Sequence, residues 1–101
     1  MRLITEQTKH AFYNKGKLSK ANTKVFYDEY DQKSRILLHN NCIATFDHEE
    51  NILSISNCGW FSNTTKERLN ALKGVSIQQK NFVWYLNGEE WDGKSINIKN
   101  I

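Results

Sequence analysis

Four His and Cys side chains, the usual ligands of a structural zinc, fall between positions 39 and 58: His39, Cys42, His48 and Cys58. His39-x-x-Cys42 is a permissive ligand spacing. A structural zinc site takes four ligands, usually as two close pairs, and Cys58 has no ligand beside it. The pattern fits two buried cysteines acting as small hydrophobes, so no metal is expected. Nucleophilic catalysis needs a Ser, Cys or Thr next to a base that a third group orients. None of His10, His39 and His48 stands in a recognisable nucleophile motif. Glu89 and Glu90 are adjacent, so on a strand they face opposite sides and form no carboxylate dyad. The sequence has no glycine-rich phosphate loop and no dinucleotide fingerprint. The expectation is a protein with no catalytic residues and no cofactor, acting by binding.

Polar donors concentrate further along, in Ser62, Asn63, Thr64, Thr65, Lys66, Arg68 and Asn70, directly after Trp60. Hydroxyls and cations at a helix start form a natural seat for an anion or a phosphate. Thr64-Thr65-Lys66-Glu67 also reads as a capping box, the Thr64 hydroxyl accepting from the Glu67 amide while the Glu67 carboxylate reaches back. That reading accounts for Thr64 and Glu67. It leaves Arg68 to pair with an acid or a partner. Trp60, Asn63, Thr65, Lys66 and Arg68 are the binding candidates here.

Charge supplies the other candidates. Residues 1–24 hold Arg2, Lys9, Lys15, Lys17, Lys20 and Lys24 against Glu6 alone. Residues 28–51 hold Asp28, Glu29, Asp31, Asp47, Glu49 and Glu50 against Lys33 and Arg35. The start is basic and the middle acidic, which predicts two opposed patches that steer encounter with a partner if the two segments lie on different sides of the fold. Lys15, Lys17 and Lys20 are placed to neutralise a nucleic-acid backbone without reading its sequence. Glu49 and Glu50 suit a basic protein.

These side chains need elements to position them. Thr5 reads as the N-cap of a first helix over residues 6–15, with Ala11 and Phe12 on its narrow apolar face and Gly16 as its stop. Residues 17–22 read as a loop. Alternating patterns predict strands over residues 23–27, 35–39, 42–46 and 52–56, with turns at residues 30–33, Asn40-Asn41 and residues 48–51. Loops this short join antiparallel neighbours. A second helix over residues 65–72 is expected to bury Leu69 and Leu72, with Gly74 ending it. A strand over residues 75–79 follows. The clearest local signal is Phe82-Val83-Trp84-Tyr85-Leu86-Asn87-Gly88-Glu89-Glu90-Trp91. Asn-Gly between two β-rich runs predicts a type I′ hairpin that sets Trp84 opposite Trp91. Those indoles read as core rather than as a base-stacking platform. Asp92-Gly93 makes a further turn, and Ile96 and Ile98 mark a last short strand.

A chain of 101 residues is the size of one domain, residues 1–101, with one core. Aromatics make up 12% of it, enough to carry that core without a disulfide framework. Two cysteines are too few for a secreted scaffold, and the polar start lacks the apolar stretch of a signal peptide. No run approaches the length of a membrane span. A cytoplasmic protein with reduced thiols is expected, and on that basis the glycosylation pattern Asn63-Thr64-Thr65 has no meaning.

Two stretches carry a resemblance: residues 59–70, from Gly59-Trp60 through Thr64-Thr65-Lys66-Glu67-Arg68-Leu69-Asn70, and Val83-Trp84-Tyr85-Leu86-Asn87-Gly88-Glu89-Glu90-Trp91-Asp92-Gly93. Both resemble a family of small uncharacterised bacteriophage and prophage proteins. Ala11-Phe12, Asn22-Thr23-Lys24-Val25 and Leu38-His39-Asn40-Asn41-Cys42-Ile43-Ala44 are similar as well, so the resemblance covers nearly the whole chain. The acidic stretch at residues 27–32 departs from the pattern by its length. The resemblance implies a phage or prophage origin and carries no catalytic residue across. Because small phage proteins of this kind often redirect or block host machinery, CRISPR and other defence systems included, the resemblance implies a role of that sort as an expectation.

The expected architecture is α+β: a curved antiparallel sheet of about five to seven strands with two short helices packed on it. The expected function is an accessory protein, acting in the cytoplasm of the bacterial host, that binds and blocks a host protein or ribonucleoprotein. Nucleic acid bound by the basic residues 2–24 with Lys66 and Arg68 is the alternative. A small virion component comes third.

Overall fold

Thr5, Thr8, Ala11 and Phe12 recur at helical spacing and form one buried face. They belong to α1 (Leu3–Tyr13) in a computed structural model that describes residues 3–98; Arg2 of the basic segment lies outside them. Thr5 is therefore inside the helix and buried, not its cap. Thr8 satisfies its hydroxyl by donating to the Ile4 carbonyl at 2.6 Å. The helix ends at Tyr13, two residues short of the expected Lys15: Lys15 takes the left-handed conformation (φ 57°), and the Gly16 amide donates to the Ala11 carbonyl at 2.8 Å. Gly16 serves that close approach, since a Cβ there would lie 3.1 Å from the Ala11 Cα.

The chain then runs β1 (Leu18–Lys20), β2 (Thr23–Asp28), β3 (Lys33–Leu38), β4 (Asn41–Asp47) and β5 (Ile52–Ile55) as an antiparallel meander. β1 lies in the segment expected to be a loop. It pairs with β2 through a tight turn in which Ala21 adopts φ 53°. β3 alternates strictly, with Ser34, Ile36 and Leu38 buried. The β3–β4 turn falls on His39 and Asn40 (φ 51° and 66°) rather than on Asn40-Asn41, and the ladder slips between Ile36 and Leu37. Opposite that slip, Ile43 and Ala44 are both buried although adjacent, as a β-bulge allows.

After β5 come α2 (Asn63–Asn70), β6 (Ile77–Lys80), β7 (Val83–Leu86), β8 (Glu89–Glu90) and β9 (Ile96–Ile98). β9 returns to pair with β5, giving a six-stranded sheet ordered β1-β2-β3-β4-β5-β9. β6, β7 and β8 form a second, three-stranded antiparallel sheet, because the two-residue turns between them force local hairpins. Among the described residues the fold is α+β, with two helices and two open antiparallel sheets where one sheet was expected. The Asn87-Gly88 turn is as read: Leu86 faces Glu89 and Tyr85 faces Glu90. The Trp91 amide donates to the Trp84 carbonyl at 2.9 Å, and the two buried indoles lie 6.2 Å apart. Such a pair adds about 0.5–1.5 kcal/mol beyond its buried area.

α1 packs on β2 and β3, and α2 bridges β4 and β6. Phe12, Val25, Ile36, Ile43, Ile55, Leu69, Trp84 and Trp91 consequently share one core that joins both sheets. The uncovered face of the larger sheet carries Phe26, Arg35, Thr45, Ser54 and Asn97 in register across five strands.

Candidate binding surface

α2 is where the sequence concentrated its polar donors, and its first turn is capped from outside the expected box. Ser62, with extended backbone, is the N-cap and accepts from the Thr65 amide at 3.2 Å. Thr64 sits inside the first turn, so the helix starts two residues earlier than read. The Glu67 carboxylate is drawn elsewhere: it accepts from the Thr5 hydroxyl at 2.9 Å and from Arg68 at 2.6 Å. Arg68 is 4% exposed and also donates to Thr5 (2.8 Å) and Thr23 (3.3 Å). Thr65 is wholly buried. Two binding candidates, Thr65 and Arg68, therefore face inward. Arg68 ties α2 to α1 and β2, and its charge is held by neighbours rather than offered to an anion.

Trp60, Phe61 and Asn63 stay outside. Trp60 is 55% exposed and Phe61 54%, and Asn63 is exposed. The two rings splay: Trp60 leans toward His39 on the β3–β4 turn (6.4 Å between centroids), while Phe61 meets Trp84 of the smaller sheet edge-on at 5.1 Å. Between Trp60, His39 and the start of α2 lies a cleft of about 220 Å³, rimmed by Ser62 and Thr64 and floored by Leu38 and Ile43. That is below the roughly 300–1,000 Å³ of small-molecule sites. It has room for a side chain. Lys66 is half-buried, donating to the Gln79 side chain at 2.9 Å with its ammonium 5.8 Å from the Trp84 ring centre.

The segment before Trp60 is fixed by Asn57, which is buried. Its backbone amide donates to Gly93, its carbonyl accepts from the Trp60 amide at 2.8 Å, and its side-chain oxygen accepts from the Gly59 amide. The exposed rings thus stand on a rigid base.

The lysines are spread over several elements, with Lys17 and Lys20 both beside Gln7 of α1. Lys15 lies over the Tyr27 ring at 5.3 Å, Lys20 donates to Gln7 on α1, and Lys17 borders a shallow depression with Glu6, Gln7 and His10. Lys24 belongs to the uncovered sheet face, between buried Thr23 and Val25. The acids gather at one end of the larger sheet. Lys33 there is the cross-strand partner of both Asp28 and Asp47, and the His48 amide donates to the Gln32 carbonyl at 3.0 Å, so the β2–β3 and β4–β5 turns are neighbours. Arg35 pairs with Asp31 and lies 3.8 Å from Asp28. The hydrogen bond from Arg35 holds the Asp31 carboxyl below the usual range. Asp47 accepts from the amides of Glu49 and Glu50, whose side chains are exposed on the β4–β5 turn. Lys15 stands near that end of the sheet, its ammonium over the Tyr27 ring that meets His48 edge-on at 5.3 Å, while Lys17 and Lys20 lie beside Gln7 on α1.

The metal candidates separate too. His39 sits with Trp60, while His48 shares a 2.7 Å hydrogen bond with Ser34. Ser34 is completely buried, so this Ser–His contact offers no nucleophile to a substrate. Cys58 is exposed and Cys42 half-buried, which corrects the buried pair. Cys58 sits at φ 53° in the turn after β5, and its thiol donates to the Cys42 carbonyl at 2.9 Å. Among the described residues no group of three or more His, Cys, Asp or Glu is arranged to hold a metal. None of their helices is long and apolar enough to cross a membrane.

Sequence reasoning missed His39 as a partner of Trp60, and it placed Phe82 in a strand. No glycine marks either left-handed position, and for Phe82 the conformation is one its residue type rarely occupies.

No curated protein and no solved structure matches the chain. One family profile does, that of the Kyanoviridae Gp96 protein, over residues 1–100. The origin read from the motifs agrees with it at the level of a phage family. The chain belongs to the Kyanoviridae Gp96 protein family, a family of phage proteins.

Proposed function

We propose that this phage accessory protein binds a host protein, alone or within a ribonucleoprotein, in the host cytoplasm and blocks its action, with its contact centred on Trp60, Phe61 and Asn63. One observation carries the reading: two consecutive aromatic rings more than half exposed on a segment whose backbone is hydrogen-bonded from Asn57 to Gly93. Rigid exposed aromatics beside an apolar cleft are the make-up of a protein-binding hot spot. The spread of Lys15 and Lys17 in the α1–β1 loop, Lys20 on the edge strand β1 and Lys24 on the uncovered face of β2 favours a protein over a phosphate backbone, which needs cations along one track. Inhibition of a host defence complex, CRISPR included, is the most concrete form of this function.

Affinity capture from lysate of the phage's host, with and without nuclease, tests the class of partner. A host protein retained equally under both conditions, and at 300 mM as well as 100 mM salt, is the expected result. Retention that disappears with nuclease or falls steeply with salt would move the protein to the nucleic-acid class.

A further inference from the structure

The smaller sheet contains the same turn twice. Asn87-Gly88, between β7 and β8, has φ 51° and 88°, and Asn81-Phe82, between β6 and β7, has φ 52° and 67°. Both central residues of a type I′ turn need positive φ, for which Asn-Gly is the preferred pair. At Asn81-Phe82 a phenylalanine stands where the sister turn has glycine. A bulky side chain at that φ is a true outlier, and the strain is not offset by packing, because Phe82 is 94% exposed. The fold gains nothing from this ring, which leaves contact with another molecule as its use.

The hairpin tip is joined to the aromatic surface already described. Phe61 rests on Trp84 (5.1 Å), Lys66 lies over the same indole, and Lys66 donates to Gln79. Gln79 is the cross-strand partner of Trp84, and Lys80 that of Val83, one step from the tip. Lys80, exposed and next to the turn, sets a cation beside the ring. Resting on the protein-binding reading, we propose that Phe82 is a second anchor of the same interface and seats in an apolar pocket with a carboxylate rim on the partner protein. A single ring with one cation beside it fits such a pocket. Single-stranded nucleic acid is held by successive aromatics along a basic groove, and a membrane surface by a broad apolar face.

Phe82→Gly restores the Asn-Gly turn, so the test variant keeps the fold, with a Tm equal to or above that of the wild type. Nuclease-treated host lysate is passed over immobilised wild type, F82G and W60A, and a photoreactive benzoylphenylalanine at position 82 maps the contact. Support is a host protein retained by the wild type, retained at least about tenfold less by F82G, and crosslinked from position 82 at a site bordered by acidic residues. Equal retention by F82G and wild type overturns the anchor, and loss by W60A in that same experiment leaves the protein-binding reading standing. Binding of phosphatidylglycerol vesicles by the wild type and not by F82G overturns the proposal in favour of a membrane. A wild-type protein that retains nothing after nuclease overturns both readings.

Discussion

The carboxamide of Asn57 occupies the space that a side chain on Gly93 would need: a Cβ there would lie 2.2–2.4 Å from the carboxamide atoms. Gly93 also has φ 88°, and its carbonyl accepts from the Asn57 amide at 3.0 Å and the Ser56 hydroxyl at 3.1 Å. The β8–β9 connection thereby clamps the segment that displays Trp60. Gly93→Ala should combine backbone strain with overpacking and destabilise by about 3 kcal/mol. Urea denaturation measures this, and a loss below about 0.5 kcal/mol would show that Asn57 moves aside at little cost.

Arg68 is a structural cation rather than a contact residue. Arg68→Ala should cost about 3–5 kcal/mol, because Glu67, Thr5 and Thr23 lose a shared donor in a largely buried setting. Arg68→Lys should recover little, since an ammonium cannot reproduce the planar fork. Unchanged stability in Arg68→Ala, together with lost partner binding, would return Arg68 to the surface.

The cap assignment separates two neighbouring hydroxyls. Ser62→Ala should lose about 1 kcal/mol, the usual worth of an N-cap side chain, while Thr64→Ala should stay within about 0.5 kcal/mol. The reverse order in chemical denaturation would restore the capping box.

What the sequence made legible follows one rule: local signals were read correctly where no distant group competed. Asn87-Gly88 fixed its hairpin and the Trp84–Trp91 pair because glycine announces the positive φ. The turns at His39-Asn40 and Asn81-Phe82 carry no such announcement, and the bulge at Ile43 shifts a register that alternation alone would keep. Thr64 and Glu67 matched a capping box, yet Glu67 is bound by Thr5, sixty-two positions away, and no local pattern reports that. At the candidate surface Trp60 and Asn63 were legible as exposed polar-aromatic positions. Thr65 and Arg68 were not legible as core, because their burial depends on how α2 lies against α1.

His48 makes stability depend on pH. Burial first, and the nearby Lys15 second, push its pKa below the ordinary 6.5, with Asp47 opposing. The native state therefore prefers neutral imidazole, and between 6.5 and the lower folded pKa the unfolded chain binds more protons. Stability should fall as pH drops from 7 toward 5, and His48→Gln should flatten that part of the curve. Thermal melts across this range check it; an identical slope in the variant would assign the effect to other groups.

Contact through Trp60 and Phe61 is tested most directly by titrating the captured host protein with three forms of this chain. The combined Trp60→Ala, Phe61→Ala variant should bind at least about 30-fold more weakly, the loss of one hot-spot side chain or more. The combined Lys15→Glu, Lys17→Glu, Lys20→Glu variant and the combined Glu49→Lys, Glu50→Lys variant should each change affinity by less than about threefold, acting chiefly on the rate of encounter. Full affinity in the aromatic variant, with binding abolished by either charge reversal, would contradict the account.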